Sequence, residues 1–242
     1  ASNSFKAINM PNTVTYIGDR VFMDCEELLN IELSTNVDFT DISNYAFANC
    51  TKLVLNTLPD NVTYIGEYAF IGCDAISTFN FNKVEEIDSH AFYQDVLETI
   101  NLTTVKTIGE YAFSENMKLS HVTIPVSVTA IETHAFASSG VTTFTLNNAL
   151  IGEYMFYDCQ NLISILIPSN ITSIGKYAFA NCYNLGTGDK EITVTEIDGE
   201  GNEITVTKKL CAITFENAVI GERMFDGDTG LEYVLIPANI TT

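Results

Sequence analysis

A six-residue phrase, Ile-Gly-x-Tyr-Ala-Phe with small variations, recurs nine times in this chain. Its phenylalanines are Phe22, Phe47, Phe70, Phe92, Phe113, Phe136, Phe156, Phe179 and Phe225. Up to Phe179 the successive intervals are 25, 23, 22, 21, 23, 20 and 23 residues. A period in the low twenties dictates a solenoid, because one coil of that length cannot bury its own apolar face and must stack on the next. It also governs how every other residue is read. A side chain that recurs at one repeat position serves the coil before it serves a reaction.

With the phenylalanine at position zero, position −5 is isoleucine in all nine copies, and position −4 is glycine in six (Gly18, Gly66, Gly109, Gly152, Gly175 and Gly221). Glycine there predicts a tight turn or a positive φ, although Ser43, Asp88 and Glu132 at the same position show that positive φ is not obligatory. Alanine at −1 in six copies predicts a short helical turn lying close to the coil. Five or six residues after the phenylalanine comes L-x-x-Φ-x-Φ, as in Leu28/Ile31/Leu33 and Leu119/Val122/Ile124. It ends in alternation and is rich in β-branched residues, which predicts a short strand. The pattern appears ten times, from Phe5/Ile8/Met10 to Leu231/Val234/Ile236, with an irregular copy at Leu53 where Asn56 replaces an apolar residue. Pro11, Pro59, Pro125, Pro168 and Pro237 each follow the last apolar residue of a strand copy. Proline has no N–H for a ladder and ends the strand there. Each coil is therefore expected to be a strand, a turn and a helical or irregular return, with all ten strands stacking into one parallel sheet ~4.8 Å apart.

The expected unit is one domain over residues 1–242, since each coil touches only its neighbours. Apolar residues make up 46% of the chain and charged ones 17%, ample for a continuous core. No apolar run approaches the ~18 residues that a membrane-spanning helix needs, so membrane insertion is not expected. Eleven basic against thirty-one acidic residues leave a net charge of −20, which repels phosphate backbones and argues against a nucleic-acid partner. Ala1 opens directly into repeat sequence, and neither end carries a polar cap sequence. The first feature predicts a mature or trimmed chain, and the second one cut from a longer array or a larger protein.

Between Phe179 and Phe225 the spacing doubles to 46 residues with no phrase between them. The extra stretch, about 186–209, holds Ile192-Thr-Val-Thr195 and Ile204-Thr-Val-Thr207 around Asp198-Gly199 and Gly201-Asn202. Two alternating tetrads around such a turn predict an inserted β-hairpin. It reads as a tolerated surface insertion rather than a binding protrusion, since loops accept extra length at small cost.

Residues that look chemical mostly fall on repeat positions. Cys25, Cys50, Cys73, Cys159 and Cys182 all sit at +3, and the coils after Phe92 and Phe136, which lack this cysteine, are one residue shorter. A thiol ladder of this kind reads as small buried hydrophobes, and no C-x-x-C pair points to zinc. Cys211 lies outside the ladder and is expected to be partly exposed. His90 and His134 occupy −2, the position of Tyr45, Tyr68, Tyr111, Tyr154 and Tyr177, with Arg20 and Arg223 at the ends. A shared position argues against a catalytic histidine. The column could instead be a contact surface, since tyrosine favours interfaces, or it could simply cover the adjacent turn. Outward strand positions carry Asn80, Thr99, Asn101, His121, Thr123, Thr143, Thr145 and Thr214. This uncharged, hydroxyl-rich face suits protein or glycan contact, although threonine also belongs there for β-propensity alone. Asn-x-Thr acceptor sequences occur at Asn49, Asn61, Asn101, Asn170 and Asn239 and matter only in a glycosylating host. Paired catalytic carboxylates, nucleophile elbows, phosphate loops and metal triads do not appear, so no catalytic residue, metal or cofactor is expected.

Copies such as Val62-Thr-Tyr-Ile-Gly-Glu-Tyr-Ala-Phe70-Ile-Gly-Cys73 and Ile171-Thr-Ser-Ile-Gly175-Lys-Tyr-Ala-Phe179-Ala-Asn-Cys182 resemble the BspA-like leucine-rich repeats. The resemblance covers nearly the whole chain apart from the hairpin. It implies an α/β repeat fold, a right-handed leucine-rich-repeat solenoid with a short parallel strand per coil and short helical or irregular returns. It also implies a secreted or surface-displayed, non-catalytic binding or adhesion module whose partner is an extracellular protein or glycan. The competing expectations are a passive spacer and the non-catalytic arm of a larger secreted protein. The contact residues expected are the outward strand positions first and the tyrosine column second.

Overall fold

The computed structural model describes residues 5–147, 150–186, 190–197, 203–210, 212–215 and 220–231. The hairpin turn at 198–202, Cys211, Pro237, Asn239 and most of the last strand copy lie outside the described residues.

The strand pattern forms parallel pairs in register one coil apart. Ala7–Asn9 pairs with Asn30–Glu32, Thr78–Asn80 with Thr99–Asn101, His121–Ile124 with Thr143–Leu146, and Ser164–Ile167 with Ala212–Phe215. Each strand alternates, with Val122 and Ile124 buried between exposed His121 and Thr123. The expected single ten-strand sheet is thus broken into pairs. At the irregular Leu53 copy only the bridge from Thr57 to Asn80 forms. The prolines begin turns as they end strands: Val14, Val62, Val128 and Ile171 donate back to Pro11, Pro59, Pro125 and Pro168 at 3.0–3.2 Å.

A second ladder was not anticipated. The isoleucine at −5 and the residue before it form two-residue strands, and Asp41–Ile42, Tyr64–Ile65, Glu86–Ile87, Thr107–Ile108 and Ala130–Ile131 join in one five-stranded parallel sheet. Leu150–Ile151 and Ser173–Ile174 repeat the pairing.

The returns are not helical. Among the described residues there is no helix, so the expected helical returns and the α/β class are corrected to a parallel-strand β-solenoid. The cause lies in the backbone. Position −2 has φ between 50° and 60° in all nine copies, and position +2 has φ between 56° and 80° in eight, with Ser138 at 52°. An α-helix cannot pass through left-handed residues. What forms instead is a third ladder. In the Phe47 coil, Tyr45, Phe47 and Asn49 each donate an N–H across to Glu67, Ala69 and Ile71 of the next coil at 2.8 Å. The alternate amides of Ala46, Ala48 and Cys50 bond back within the coil at 3.0–3.2 Å. The backbone is thereby satisfied without a helix.

The glycines at −4 have a different reason from the one expected. None of the six takes a positive φ. A Cβ on Gly109 would sit 2.6 Å from the backbone of Asp88 and Ser89, and one on Gly175 would sit 2.3 Å from Glu153 N. At Gly18, with nothing nearer than 3.6 Å, there is room. Glycine at −4 lets one coil's backbone lie on the next.

Inside, Phe22 to Phe225 form one unbroken stack of nine rings, with centroids 5.0–6.2 Å apart and interplanar angles of 6–24°. The rings from Phe47 to Phe179 are fully buried among the leucines and isoleucines of both ladders. A buried Phe contributes ~1.5–3 kcal/mol by area, and an offset ring pair adds ~0.5–1.5 kcal/mol. Inter-coil ion pairs such as Glu85–Lys106 (2.7 Å) and Lys176–Glu222 (3.0 Å) are exposed, so solvent screens them and they add little to stability.

Position +3 closes most turns against the coil before it, whereas Ser139 donates to Phe136 O of its own coil at 2.6 Å. The Sγ of Cys50, Cys73, Cys159 and Cys182 donate to the preceding phenylalanine carbonyls at 3.1–3.2 Å. Burial pushes the Cys50 thiol up to about 12 and Cys159 to about 11, so these thiols stay protonated. In the coil of Phe113, Asn116 takes the same role, and its Nδ2 donates to Phe92 O at 2.7 Å. Asp95 holds this position in the coil of Phe92. Its Oδ1 accepts from Cys73 N at 2.9 Å, while its buried Oδ2 has no partner. Burial raises its carboxyl well above the usual carboxylate range, with the Cys73 N–H opposing.

Two outcomes are expected. Gly109→Ala should cost about 1–3 kcal/mol by forcing the coils apart, whereas Gly18→Ala should change the thermal melt by no more than a typical surface substitution. The raised carboxyl makes folded Asp95 hold a proton that the unfolded chain releases. Its stabilising protonated form is therefore lost as pH rises from the ordinary carboxylate range through the raised value. Asp95→Asn supplies the donor that Asn116 has. It should stabilise the fold near neutral pH by about 1–3 kcal/mol, and urea unfolding should show the gain vanishing in acid.

Candidate functional site

Two parallel strand pairs, Thr78–Asn80 with Thr99–Asn101 and His121–Ile124 with Thr143–Leu146, carry the polar face. In-register pairing places Thr78 beside Thr99, Asn80 beside Asn101, His121 beside Thr143 and Thr123 beside Thr145. Period-two alternation sends these side chains outward, and all but the half-buried Thr143 are exposed. From Thr78 to Thr145 the paired outward positions hold no carboxylate, lysine or arginine. His121 is fixed by its neighbours, with Nδ1 2.9 Å from Thr143 Oγ1 and Nε2 3.3 Å from Thr123 Oγ1. Thr214, also expected on this face, pairs with Leu166.

An open groove of about 490 Å³ lies at one end of the face. Its walls are Asn56, Thr78, Asn80, Thr99 and Asn101, over the strand segments of Phe79 and Ile100, whose side chains turn inward to the core. Phe79 is buried and Ile100 half-buried. Asn80 Oδ1 accepts from the Asn82 N–H, and Asn101 Oδ1 from the Thr103 N–H, both at 3.1 Å. These are Asx turns, and they fix which end of each amide is oxygen. Asn56 and Thr78 had not been singled out. Asn56 was legible only as an apolar position gone polar.

The aromatic column forms as one stack. Arg20 lies 4.6 Å from the Tyr45 ring, and the rings of Tyr45, Tyr68, His90, Tyr111, His134, Tyr154 and Tyr177 follow at 4.5–4.9 Å. Arg223 closes the far end, 5.8 Å from the Tyr177 ring and donating to its Oη at 2.8 Å. The rings are half-buried and their faces cover one another, so edges and hydroxyls remain for a partner. Burial pushes His90 and His134 below the ordinary histidine value, opposed by Glu110 and Glu67 at His90 and by Glu110 and Glu153 at His134. Both rings therefore stay neutral near physiological pH. His134 Nδ1 lies 2.8 Å from Thr133 Oγ1, whereas buried His90 Nδ1 has no partner.

Three Asn-x-Thr amides already serve the coils. Asn49 Nδ2 donates to Asp24 at 2.8 Å, Asn61 Nδ2 to Asn36 O at 2.9 Å, and Asn170 Nδ2 to Asn147 O at 3.4 Å. Asn101 stands on the groove. Among the described residues no group of three or more His, Cys, Asp or Glu side chains could hold a metal ion. The inserted hairpin pairs Lys190–Ile197 with Glu203–Leu210 antiparallel, with Val194 opposite Val206.

The sequence matches the BspA type leucine rich repeat region in six copies, over residues 1–104, 85–203 and 151–242. No curated protein matches the chain. The crystal structure of a leucine-rich repeat protein from Bacteroides ovatus is 22% identical and superposes with a TM-score of 0.60. It covers 95% of this chain and 68% of its own. The T. pallidum leucine-rich repeat protein is 27% identical with a TM-score of 0.58, over 64% of this chain and 77% of its own. With the repeat profile spanning the chain, and the phenylalanine stack and parallel ladders it encodes now described, the chain belongs to the BspA-type leucine-rich-repeat family.

Proposed function

We propose that this chain is a non-catalytic binding module, secreted or displayed at a cell surface, that contacts an extracellular protein or glycan through its strand face. The observation that carries this reading is the distribution of charge. A chain of net charge −20 keeps the paired outward positions from Thr78 to Thr145 free of carboxylates and fills them with amides and hydroxyls. The ladders hold these groups on rigid backbone, so little ordering entropy is lost on binding. Family membership supports a repeat scaffold in this role.

The test is a binding screen against extracellular-matrix proteins and a glycan array, run with the folded chain and with Thr99→Arg/Thr123→Arg. The expected result is a ligand whose binding falls at least about tenfold in the double variant, a change of ~1.4 kcal/mol, with an unchanged melting curve. Equal binding by the variant would remove the strand face from the reading. A passive spacer would bind nothing in either form.

A further inference from the structure

We propose that the groove between the Thr78/Thr99 and Asn80/Asn101 rows is a subsite for an uncharged, linear glycan lying across successive coils. This rests on the strand-face reading above and names the occupant of one part of that face.

Three observations select this chemistry. The first is the pair of fixed amides. Each N–H of Asn82 and Thr103 requires an acceptor, so the asparagine atom it meets is Oδ1. Nδ2 of Asn80 and of Asn101 is thereby left as the exposed donor. Because Asn80 pairs with Asn101, the two donors repeat at one coil spacing along the stack, ~4.8 Å. Thr78 and Thr99 repeat beside them in the same register. A polymer of like rings offers acceptors with a repeat of its own, and a ladder of like donors meets it.

The second observation is the lining. The side chains that face the groove are the threonine hydroxyls and asparagine amides, while Phe79 and Ile100 turn inward to the core. A sugar ring carries hydroxyls around its rim, each able to donate and to accept. Amides and hydroxyls along both sides orient such a ring. The volume of about 490 Å³ lies within the usual range for ligand sites.

The third is what the groove lacks. None of its lining residues is charged, and the chain's −20 repels anionic polysaccharides. Protein contacts are anchored by tryptophan, tyrosine and arginine set in pockets, and the groove presents none of these. The tyrosines of this chain that share a column have their faces occupied by one another. The occupant favoured is therefore neutral and hydroxyl-rich rather than a protein surface.

The test uses chain produced in a host that does not glycosylate, since Asn101 begins an Asn-Leu-Thr sequence. Neutral hexasaccharides of the cello, xylo, manno and malto series are titrated by calorimetry and saturation-transfer NMR, with a sulfated oligosaccharide as the anionic control. The variant is Asn80→Asp/Asn101→Asp, which keeps the Oδ acceptor of each Asx turn and removes each Nδ2 donor. At least one neutral series should bind and the sulfated one should not. The double variant should weaken that binding at least about tenfold without moving the melting curve. The proposal is overturned if no neutral series binds, or if the double variant binds the same sugar equally well. If the sugars fail while a protein ligand is lost in Thr99→Arg/Thr123→Arg, the glycan assignment falls and the strand-face reading stands. If both fail, both fall.

Discussion

Coil-on-coil registration is the constraint from which the rest of this molecule follows. Parallel pairing sets neighbouring coils ~4.8 Å apart, and that distance falls within the range at which aromatic rings stack. Any aromatic side chain that recurs at one repeat position therefore meets its counterpart ring to ring. Two columns exploit this. The phenylalanines at zero stack through the interior, and the Tyr/His set at −2 stacks along the surface between Arg20 and Arg223. The second column explains an otherwise costly backbone. Left-handed φ costs an ordinary residue roughly 1–2 kcal/mol, yet tyrosine, histidine and arginine adopt it at −2 in every coil. Ring stacking, and the N–H bond that each of these residues from Arg20 to Tyr177 sends to the next coil, offset that strain.

The same registration shapes the candidate binding surface. Groups that serve the stack are consumed by it: the +3 thiols donate to carbonyls, and three Asn-x-Thr amides bridge coils. Some outward strand groups are used in this way too, as where His121 bridges to Thr143, but the Asn80 and Asn101 amides serve turns within their own coils. At the outward positions, registration turns single side chains into rows, so two asparagines become two evenly spaced donors.

Much of this was legible in the residues. The period predicts the solenoid, the L-x-x-Φ-x-Φ copies predict the parallel pairs, the prolines mark strand ends, and the paired Ile-Thr-Val-Thr tetrads predict the hairpin. The helical returns were misread because alanine at −1 favours helix locally, whereas the left-handed residues on either side forbid it. Position +2 carried a signal, since Asp24, Asn49, Gly72, Asp158, Asn181 and Gly227 are the types that tolerate positive φ. Position −2 carried none, because its conformation is stabilised by hydrogen bonds and ring stacking against neighbouring coils rather than by a residue type that tolerates positive φ. The glycines at −4 read as a tight turn or a positive φ, whereas close backbone approach is the reason. The groove was legible only in part: Asn80 and Asn101 could be picked out, but the Asx turns that fix their amides, and the place of Asn56 beside them, are tertiary facts.

The central claim is that the buried phenylalanine column joins the coils into one cooperative body. Urea unfolding of Phe113→Ala against the parent chain tests it most directly, because Phe113 is fully buried and stacks on Phe92 and Phe136 at 5.7 and 5.3 Å. The expected loss is about 3–5 kcal/mol, in the range for deleting a buried aromatic ring. A loss under about 1 kcal/mol would mean that the backbone ladders hold the array without the rings, and would contradict this account.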